Sequence, residues 1–225
     1  MSAENYKSIT AKLKFEGRAF INGKYVDAID GEKFENINPA TSDVLCSVAK
    51  CNHKDVDLAV KVSRKAFESG VWSKTAPEHR KETLLKFAEL LRKHGVENSV
   101  LECVDTGKLV NDCLNEVAND APMHFQWYGE LIDKTFGKVS ATDPSITSLI
   151  VKEPIGVVAG VVPWNFPLMM AVWKAAPALA AGCSVIIKPA EDTPLSSLRI
   201  AQIASDAGIP DGVLNVLPGF GDVGE

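Results

Sequence analysis

No cluster of lysine and arginine stands out in these 225 residues, and acidic residues outnumber basic ones, 29 to 24, for a formal net charge of −5. A phosphate backbone needs a basic face to sit on, so this balance argues against a nucleic-acid partner. There is no C-x-x-C pair. The five cysteines, Cys46, Cys51, Cys103, Cys113 and Cys183, are odd in number and scattered along the chain. The four histidines, His53, His79, His94 and His124, fall at no zinc-ligand spacing and have no visible catalytic partner. Neither a disulfide framework nor a metal site is indicated, and the reduced thiols of a cytoplasmic protein fit better. Met1 to Phe20 lacks the apolar segment, roughly 7–15 residues long, of a secretory signal.

One stretch is nearly without charge. Between Ile155 and Ile187 only Lys174 carries one, which on hydropathy alone resembles a membrane span. Pro163, Asn165, Pro167, Lys174 and Pro177 interrupt it. Buried parallel strands and the helix between them read the same way, so a buried core is expected and no membrane. Composition is otherwise that of a globular chain, 46% hydrophobic and 24% charged, long enough for one large core or two smaller ones.

Short strands and turns are expected in the first fifty residues. Asn22-Gly23 is a hairpin signal between apolar arms, and Asn38-Pro39 marks a turn before Val44–Val48. A helix is expected from Lys54 to Ser69, stopped by Gly70. Thr75-Ala76-Pro77-Glu78 reads as a capping box opening another, with Leu84, Leu85, Ala88 and Leu91 on its apolar face. A third is expected over Asp112–Thr135, kinked or broken at Pro122. Gly137 to Val151, rich in serine and threonine around Asp143-Pro144, reads as a polar, extended hairpin: a surface ribbon, or an arm that pairs with another subunit.

After Pro154 the pattern becomes strand, helix, strand, helix, strand: Val157–Val162, a helix from Pro167 to about Gly182, Ser184–Lys188, a helix opened by Thr193-Pro194 and closed by Gly208, and Val213–Leu217. The alternation implies a parallel sheet with right-handed crossovers, the first half of a doubly wound nucleotide-binding fold. In such sheets ligands sit at the C-terminal ends of the strands. Asn165 lies in the turn after the first strand. Its amide can donate to a developing negative oxygen, although asparagine before a helix is usually a cap. Lys188 and Glu191 lie at the end of the second strand, either as two solvated loop charges or as an acid–base pair holding ribose hydroxyls. Gly219-Phe220-Gly221-Asp222-Val223-Gly224 matches G-x-G-x-x-G, but after the third strand rather than the first, so a tight glycine turn beside a cofactor is a better reading than a phosphate cradle. Met169, Met170 and Trp173, at helical spacing, read as core.

Ordered blocks along the chain resemble the aldehyde dehydrogenase superfamily: Phe20-Ile21-Asn22-Gly23, Asn38-Pro39-Ala40-Thr41, Asp105-Thr106-Gly107-Lys108, Glu153-Pro154-Ile155-Gly156-Val157, Pro163-Trp164-Asn165-Phe166-Pro167, Lys188-Pro189-Ala190-Glu191, Pro210-Asp211-Gly212-Val213 and Gly219-Phe220-Gly221. The pattern is most similar to the branch acting on amino-aldehydes, of the γ-glutamyl-γ-aminobutyraldehyde type. The resemblance implies an oxidoreductase that converts aldehydes to carboxylic acids with NAD or NADP. It does so by a cysteine thiohemiacetal, hydride transfer to the nicotinamide and a glutamate-activated water. It makes Asn165 the oxyanion-hole amide, and Lys188 and Glu191 the grip on the adenosine ribose, with the glutamate favouring NAD over NADP. Val162, Pro163, Trp164 and Gly221 would line the cofactor cleft, and Phe166, Met170 and Trp173 the aldehyde tunnel.

The fold class that follows is α/β, the N-terminal part of the family's fold: an incomplete Rossmann-like parallel sheet, flanking helices and a β-hairpin oligomerisation arm. Residues 1–136 and 154–225 would form a discontinuous NAD-binding domain, incomplete at its C-terminal end. Residues 137–153 would be the arm, and a catalytic domain is not represented. The family carries its glutamate in a Glu-Leu-Gly-Gly block and its cysteine in an Asn-Gln-Gly-Gln-x-Cys block. Neither occurs here, nor any Gly-Gly pair, and Cys183, after Ala181-Gly182, reads as a small packing residue. The expectation is the N-terminal half of a protein about twice as long, from an incomplete or split gene or a shortened product, inactive alone. The alternatives are a non-catalytic module that pairs with a full-length relative or a separately encoded second half, and a poorly folded remnant with an unpaired sheet edge.

Overall fold

Asn22 and Gly23 both adopt left-handed backbone, with φ of 54° and 78°. That is the conformation a two-residue hairpin needs to match strand twist. In the computed structural model, which describes residues 1–225, a first helix, α1 (Ala3–Thr10), precedes this hairpin of β1 (Ala19–Ile21) and β2 (Lys24–Val26). A separate antiparallel ribbon follows, β3 (Lys33–Ile37) with β4 (Val44–Ala49), irregular between Asn36 and Ile37.

Helices come next: α2 (His53–Ser69), α3 (Pro77–Lys93), α4 (Gly95–Thr106) and the single turn α5 (Val110–Cys113). The capping box lies at α2, not α3. Asn52 Oδ1 accepts from the Lys54 amide and Asp55 Oδ2 accepts from the Asn52 amide, each at 2.9 Å. At α3 the first-turn preference of Pro77 shifts the start by one residue, so Ala76 takes the cap position without a side-chain bond. Thr75 Oγ1 donates to the Trp72 carbonyl instead, at 2.8 Å. The helix expected over Asp112–Thr135 is divided. A π-helical run, Leu114–Asp120, leads into α6 (Ala121–Leu131), followed by a tight 3₁₀ turn, Ile132–Lys134. Pro122 enters directly after the π run, whose wider turn relieves the clash an interior proline makes with the carbonyl four residues back.

Beyond these, β5 (Lys138–Ser140) and β6 (Ser148–Ile150) pair antiparallel and stand exposed. The alternating segment is β7 (Val157–Val161), α7 (Pro167–Ala181), β8 (Ser184–Lys188), α8 (Leu195–Ala207) and β9 (Leu214–Val216). Gly182 and Gly208 end the two helices in left-handed conformation. β7, β8 and β9 are parallel, as the pattern implies. The whole sheet is mixed, however: its order is β2-β1-β9-β8-β7, with β1 antiparallel to β9. The outer edge of β9 is thereby covered by the N-terminal hairpin, while β7 has a strand partner on one side only.

The main core packs α3, α6, α7 and α8 over one sheet face, with Trp72, Leu84, Phe87, Phe125, Leu168 and Leu198 fully buried. The rings of Phe87 and Phe125 lie 4.2 Å apart; removing either would cost about 3–5 kcal/mol. Trp72 Nε1 donates to the Leu179 carbonyl at 2.9 Å, which pins the α2–α3 loop to α7. No helix is long and apolar enough to cross a membrane.

Candidate active site

The chain leaves β7 in register with the end of β8: the Val162 amide donates to the Lys188 carbonyl at 3.0 Å. Pro163, Trp164, Asn165 and Phe166 then form an exposed bend, and Pro167 begins α7. Asn165 does not cap that helix. Phe166 holds the cap position without a side-chain bond. The Leu168 amide is taken by Glu102 Oε2 of α4, at 3.3 Å. The Asn165 side chain is left exposed to solvent. Glu102 is fully buried, and desolvation pushes its carboxyl up to about 7.

The next loop is built the same way. Thr193 was expected to cap α8, but its hydroxyl donates to the Trp164 carbonyl at 3.4 Å, tying the two strand-end loops together. The Leu195 amide at the start of α8 is accepted by Asp105 Oδ2 at 2.9 Å, and Asn36 Nδ2 donates to Asp105 Oδ1 at 2.9 Å. Burial pushes Asp105 up to about 8. One face of α4 therefore supplies the acceptors for α7 and α8.

Lys188 is nearly buried at the end of β8, with its Nζ 3.1 Å from Glu191 Oε2. Glu191 is partly open to solvent. Its own backbone amide, and then Lys188, hold its carboxyl below the usual range. A cavity of about 480 Å³ opens beside it and brings together Trp164, Glu191, Asp105, Asn36, Phe34 and Phe220. Gly221 starts a three-residue 3₁₀ turn, not a helix, and a Cβ there would meet nothing within 4 Å. Gly219 is the constrained glycine of this segment: its φ is 159° and a Cβ would lie 3.0 Å from the Cys51 carbonyl oxygen.

Asn165, Met170 and Trp173 do not line that cavity. Phe166, just before α7, and Trp173 on it are exposed, while Met169 belongs to the main core and the half-buried Met170 packs against its edge. Trp173 is therefore not the core residue its spacing suggests; it is 48% exposed. The Lys108 ammonium sits 4.0 Å from the centre of the Phe166 ring, and the His124 ring lies 5.8 Å from that of Trp173. Glu102, Lys108 and His124 were not expected here. For Lys108 the signal was present in the block Asp105-Thr106-Gly107-Lys108.

Residues 25–225 match the aldehyde dehydrogenase family model. The chain belongs to the aldehyde dehydrogenase family. It is 47% identical over 221 residues to the aminoacetaldehyde dehydrogenase of Pseudomonas aeruginosa, covering 98% of this chain and 45% of that one. It superposes with a TM-score of 0.98 on the γ-glutamyl-γ-aminobutyraldehyde dehydrogenase of Burkholderia cenocepacia, 46% identical, covering all of this chain and 45% of that one. The indole-3-acetaldehyde dehydrogenase AldA of P. syringae, solved with NAD+ and IAA, also gives 0.98 at 47% identity, over all of this chain and 46% of that structure. The chain thus spans about half the length of the aldehyde dehydrogenases it matches. The amino-aldehyde likeness read from the motifs agrees with two of these three relatives.

Proposed function

We propose that these residues form the cofactor-binding part, and one wall of the active site, of an NAD-dependent aldehyde dehydrogenase acting on amino-aldehydes. The observation that carries this reading is the Asn165 side chain at the C-terminal end of β7. The helix that would ordinarily use it is capped by Glu102 instead. An amide held in a stiff turn between two prolines and left free to donate suits an oxygen that gains negative charge as a nucleophile adds to an aldehyde carbon. One such donor contributes on the order of 10²–10³ in rate.

The strand-end groups fit a dinucleotide. Lys188 has three ammonium donors and gives one to Glu191, and the partly open Glu191 carboxylate is kept ionised to accept from ribose hydroxyls. Its charge would repel a 2′-phosphate, which favours NAD over NADP. Val162, Pro163, Trp164 and Gly221 would line the same cleft, and the open space at Gly221 leaves room for a ligand to approach the backbone. NAD, when bound, supplies the acceptor for the hydride lost by the aldehyde carbon. Phe166, Met170 and Trp173 would face the aldehyde, with the exposed Trp173 indole offering a π face to a substrate ammonium. A cytoplasmic setting goes with this reading, on the same scattered, odd-numbered cysteines.

These 225 residues contain neither the Glu-Leu-Gly-Gly nor the Asn-Gln-Gly-Gln-x-Cys block. By themselves they would not turn over aldehyde, since the covalent route needs both the thiolate and the base. Incubation of the pure 225-residue chain with NAD and aminoacetaldehyde should give no NADH signal above buffer; robust turnover would overturn the assignment of inactivity. NAD binding, followed by tryptophan quenching, tests the cofactor reading separately. A second reading is favoured by the exposed apolar residues of the β5–β6 hairpin, Val139, Leu149 and Ile150. In it the hairpin pairs the chain with another copy, with a full-length relative or with a separately encoded second half.

A further inference from the structure

His124 stands on the first turn of α6, with its ring 5.8 Å from that of Trp173 and tilted 39° to it. Its Nδ1 lies 2.9 Å from the Asp120 carbonyl oxygen, across the junction where the π-helical run passes into α6. A carbonyl oxygen can only accept, so Nδ1 carries a proton. In the neutral ring that leaves Nε2 with a bare lone pair, and Nε2 makes no hydrogen bond within the chain. The His124 ring is half-buried, and the Trp173 indole beside it is open to solvent.

We propose that His124 and Trp173 together bind the ammonium group of an amino-aldehyde, a role that rests on Trp173 facing the aldehyde as proposed above. His124 Nε2 accepts an N–H, and the indole offers its π face. A π face attracts a cation but also tolerates a plain alkyl chain, whereas a fixed lone pair demands a donor. An ammonium has three donors and no acceptor. A neutral alkyl end would leave the lone pair unmet, and a carboxylate would face it with lone pairs of its own. The tautomer makes the choice, since a proton on Nε2 would turn the same ring toward acceptors. The surrounding charges suit a cation. The run leading into α6 carries Glu116 and the exposed Asp120, and Lys108 is paired with Glu116. The stem of Lys174, next to Trp173 in sequence, lies over Gly160 of β7 instead.

The spacing suits a short substrate. Pro167 begins α7 beside the Asn165 turn, and the helix rises roughly 9 Å from there to Trp173. A hydrogen bond at each end, about 2.9 Å apiece, and a carbon chain of a few bonds between them cover that span. The carbonyl oxygen then meets the Asn165 amide and the ammonium meets His124, with α7 setting the distance between the two. Asn165 serves any aldehyde; His124 selects those that carry an amine.

The test is nuclear magnetic resonance of the histidine and tryptophan rings of the purified chain at pH 8.5, where an alkyl ammonium is still charged. Three probes of matched length are titrated: 4-aminobutanol, the neutral 1,4-butanediol and the anion 4-hydroxybutyrate. The free chain should show His124 protonated at Nδ1. 4-Aminobutanol should move the His124 Nε2 and Trp173 indole signals and bind about tenfold more tightly than the diol, with the anion weaker still. His124→Phe keeps a ring beside Trp173 and removes the lone pair, and the preference for the amine should fall below about twofold. A free ring protonated at Nε2, equal binding of amine and diol, tighter binding of the anion, or a full preference in His124→Phe would each overturn the proposal. Should that variant fail to fold, the tautomer and the ranking of the three probes on the unaltered chain decide the matter. NAD binding by tryptophan quenching is read separately. A chain that binds NAD without preferring the amine loses the role of His124 alone, and one that prefers the amine without binding NAD loses the cofactor reading alone.

Discussion

Glu102 and Asp105 stand on one face of α4 and serve two different helices, Glu102 accepting the first free amide of α7 and Asp105 that of α8. Both carboxyls are buried, and both are held above the ordinary carboxylate range, at about 7 and about 8. Glu102 Oε1 and Ser196 Oγ are buried without a hydrogen-bond partner, and Ser196 lies close enough to influence the titration of Glu102. A protonated Glu102 would satisfy both by donating to the hydroxyl.

The pH dependence of stability follows from those shifts. The unfolded chain releases these protons near pH 4, while the folded chain keeps them to about 7 and about 8. Folding therefore takes up protons across that window. Stability is full below the unfolded values and is lost as pH rises through the folded ones, by about 2–4 kcal/mol for the pair. That is less than the full shifts convert to, because water reaches a carboxylate once it ionises. Urea midpoints at pH 5 and pH 8.5 measure the loss. The double variant Glu102→Gln, Asp105→Asn should flatten it; an unchanged slope in that variant would assign the loss to other groups.

Asn165→Ala separates an oxyanion donor from a helix cap by stability alone. A cap residue costs about 1 kcal/mol when truncated. Because Leu168 is satisfied by Glu102, the expected change here is under about 0.5 kcal/mol. Thermal unfolding of the chain gives the answer, and a drop of a full kcal/mol would mean that Asn165 supports the turn through contacts of its own.

Glu191→Thr tests the cofactor preference. Removing the carboxylate takes away two hydrogen-bond acceptors for ribose and the charge that would oppose a 2′-phosphate. NAD affinity is expected to fall about tenfold while NADP affinity holds or rises, read by titration of tryptophan quenching. Equal losses for both dinucleotides would remove Glu191 from the discrimination.

The legible and illegible parts of this fold differ in where their determinants lie. Val157–Val161, Ser184–Lys188 and the helices ended by Gly182 and Gly208 announce themselves because apolar runs and glycine stops are local signals. α4 carries no such signal. Its buried residues mix Val100, Leu101 and Val104 with the polar Asn98, Ser99, Glu102 and Asp105, the last two serving the starts of other helices, and that mixture blurs an apolar stripe. The expected role of Thr193 failed for a related reason. A local rule looks for the cap one residue before a helix, whereas the acceptor for Leu195 comes from Asp105, far back in the chain. The exposure of Trp173 was also hidden, since spacing along α7 marks a face without saying what lies opposite it.

The β5–β6 hairpin offers the last prediction. Its two three-residue strands contact little else, and a lone two-stranded ribbon is marginal in water. Yet Val139, Leu149, Ile150 and Val151 are all more than half exposed on it, with Phe136 and Ile155 at its base. Apolar side chains concentrated on an otherwise polar ribbon fit burial against another chain better than solvation. Replacing residues 138–150 with a glycine–serine linker should therefore shift the assembly toward monomer in light scattering coupled to size exclusion. The main core lies elsewhere, so the melting temperature measured at low concentration should move by no more than about 2 °C. An unchanged mass after the replacement would refute a role for the hairpin in assembly. A large fall in melting temperature would show instead that the ribbon braces its own subunit.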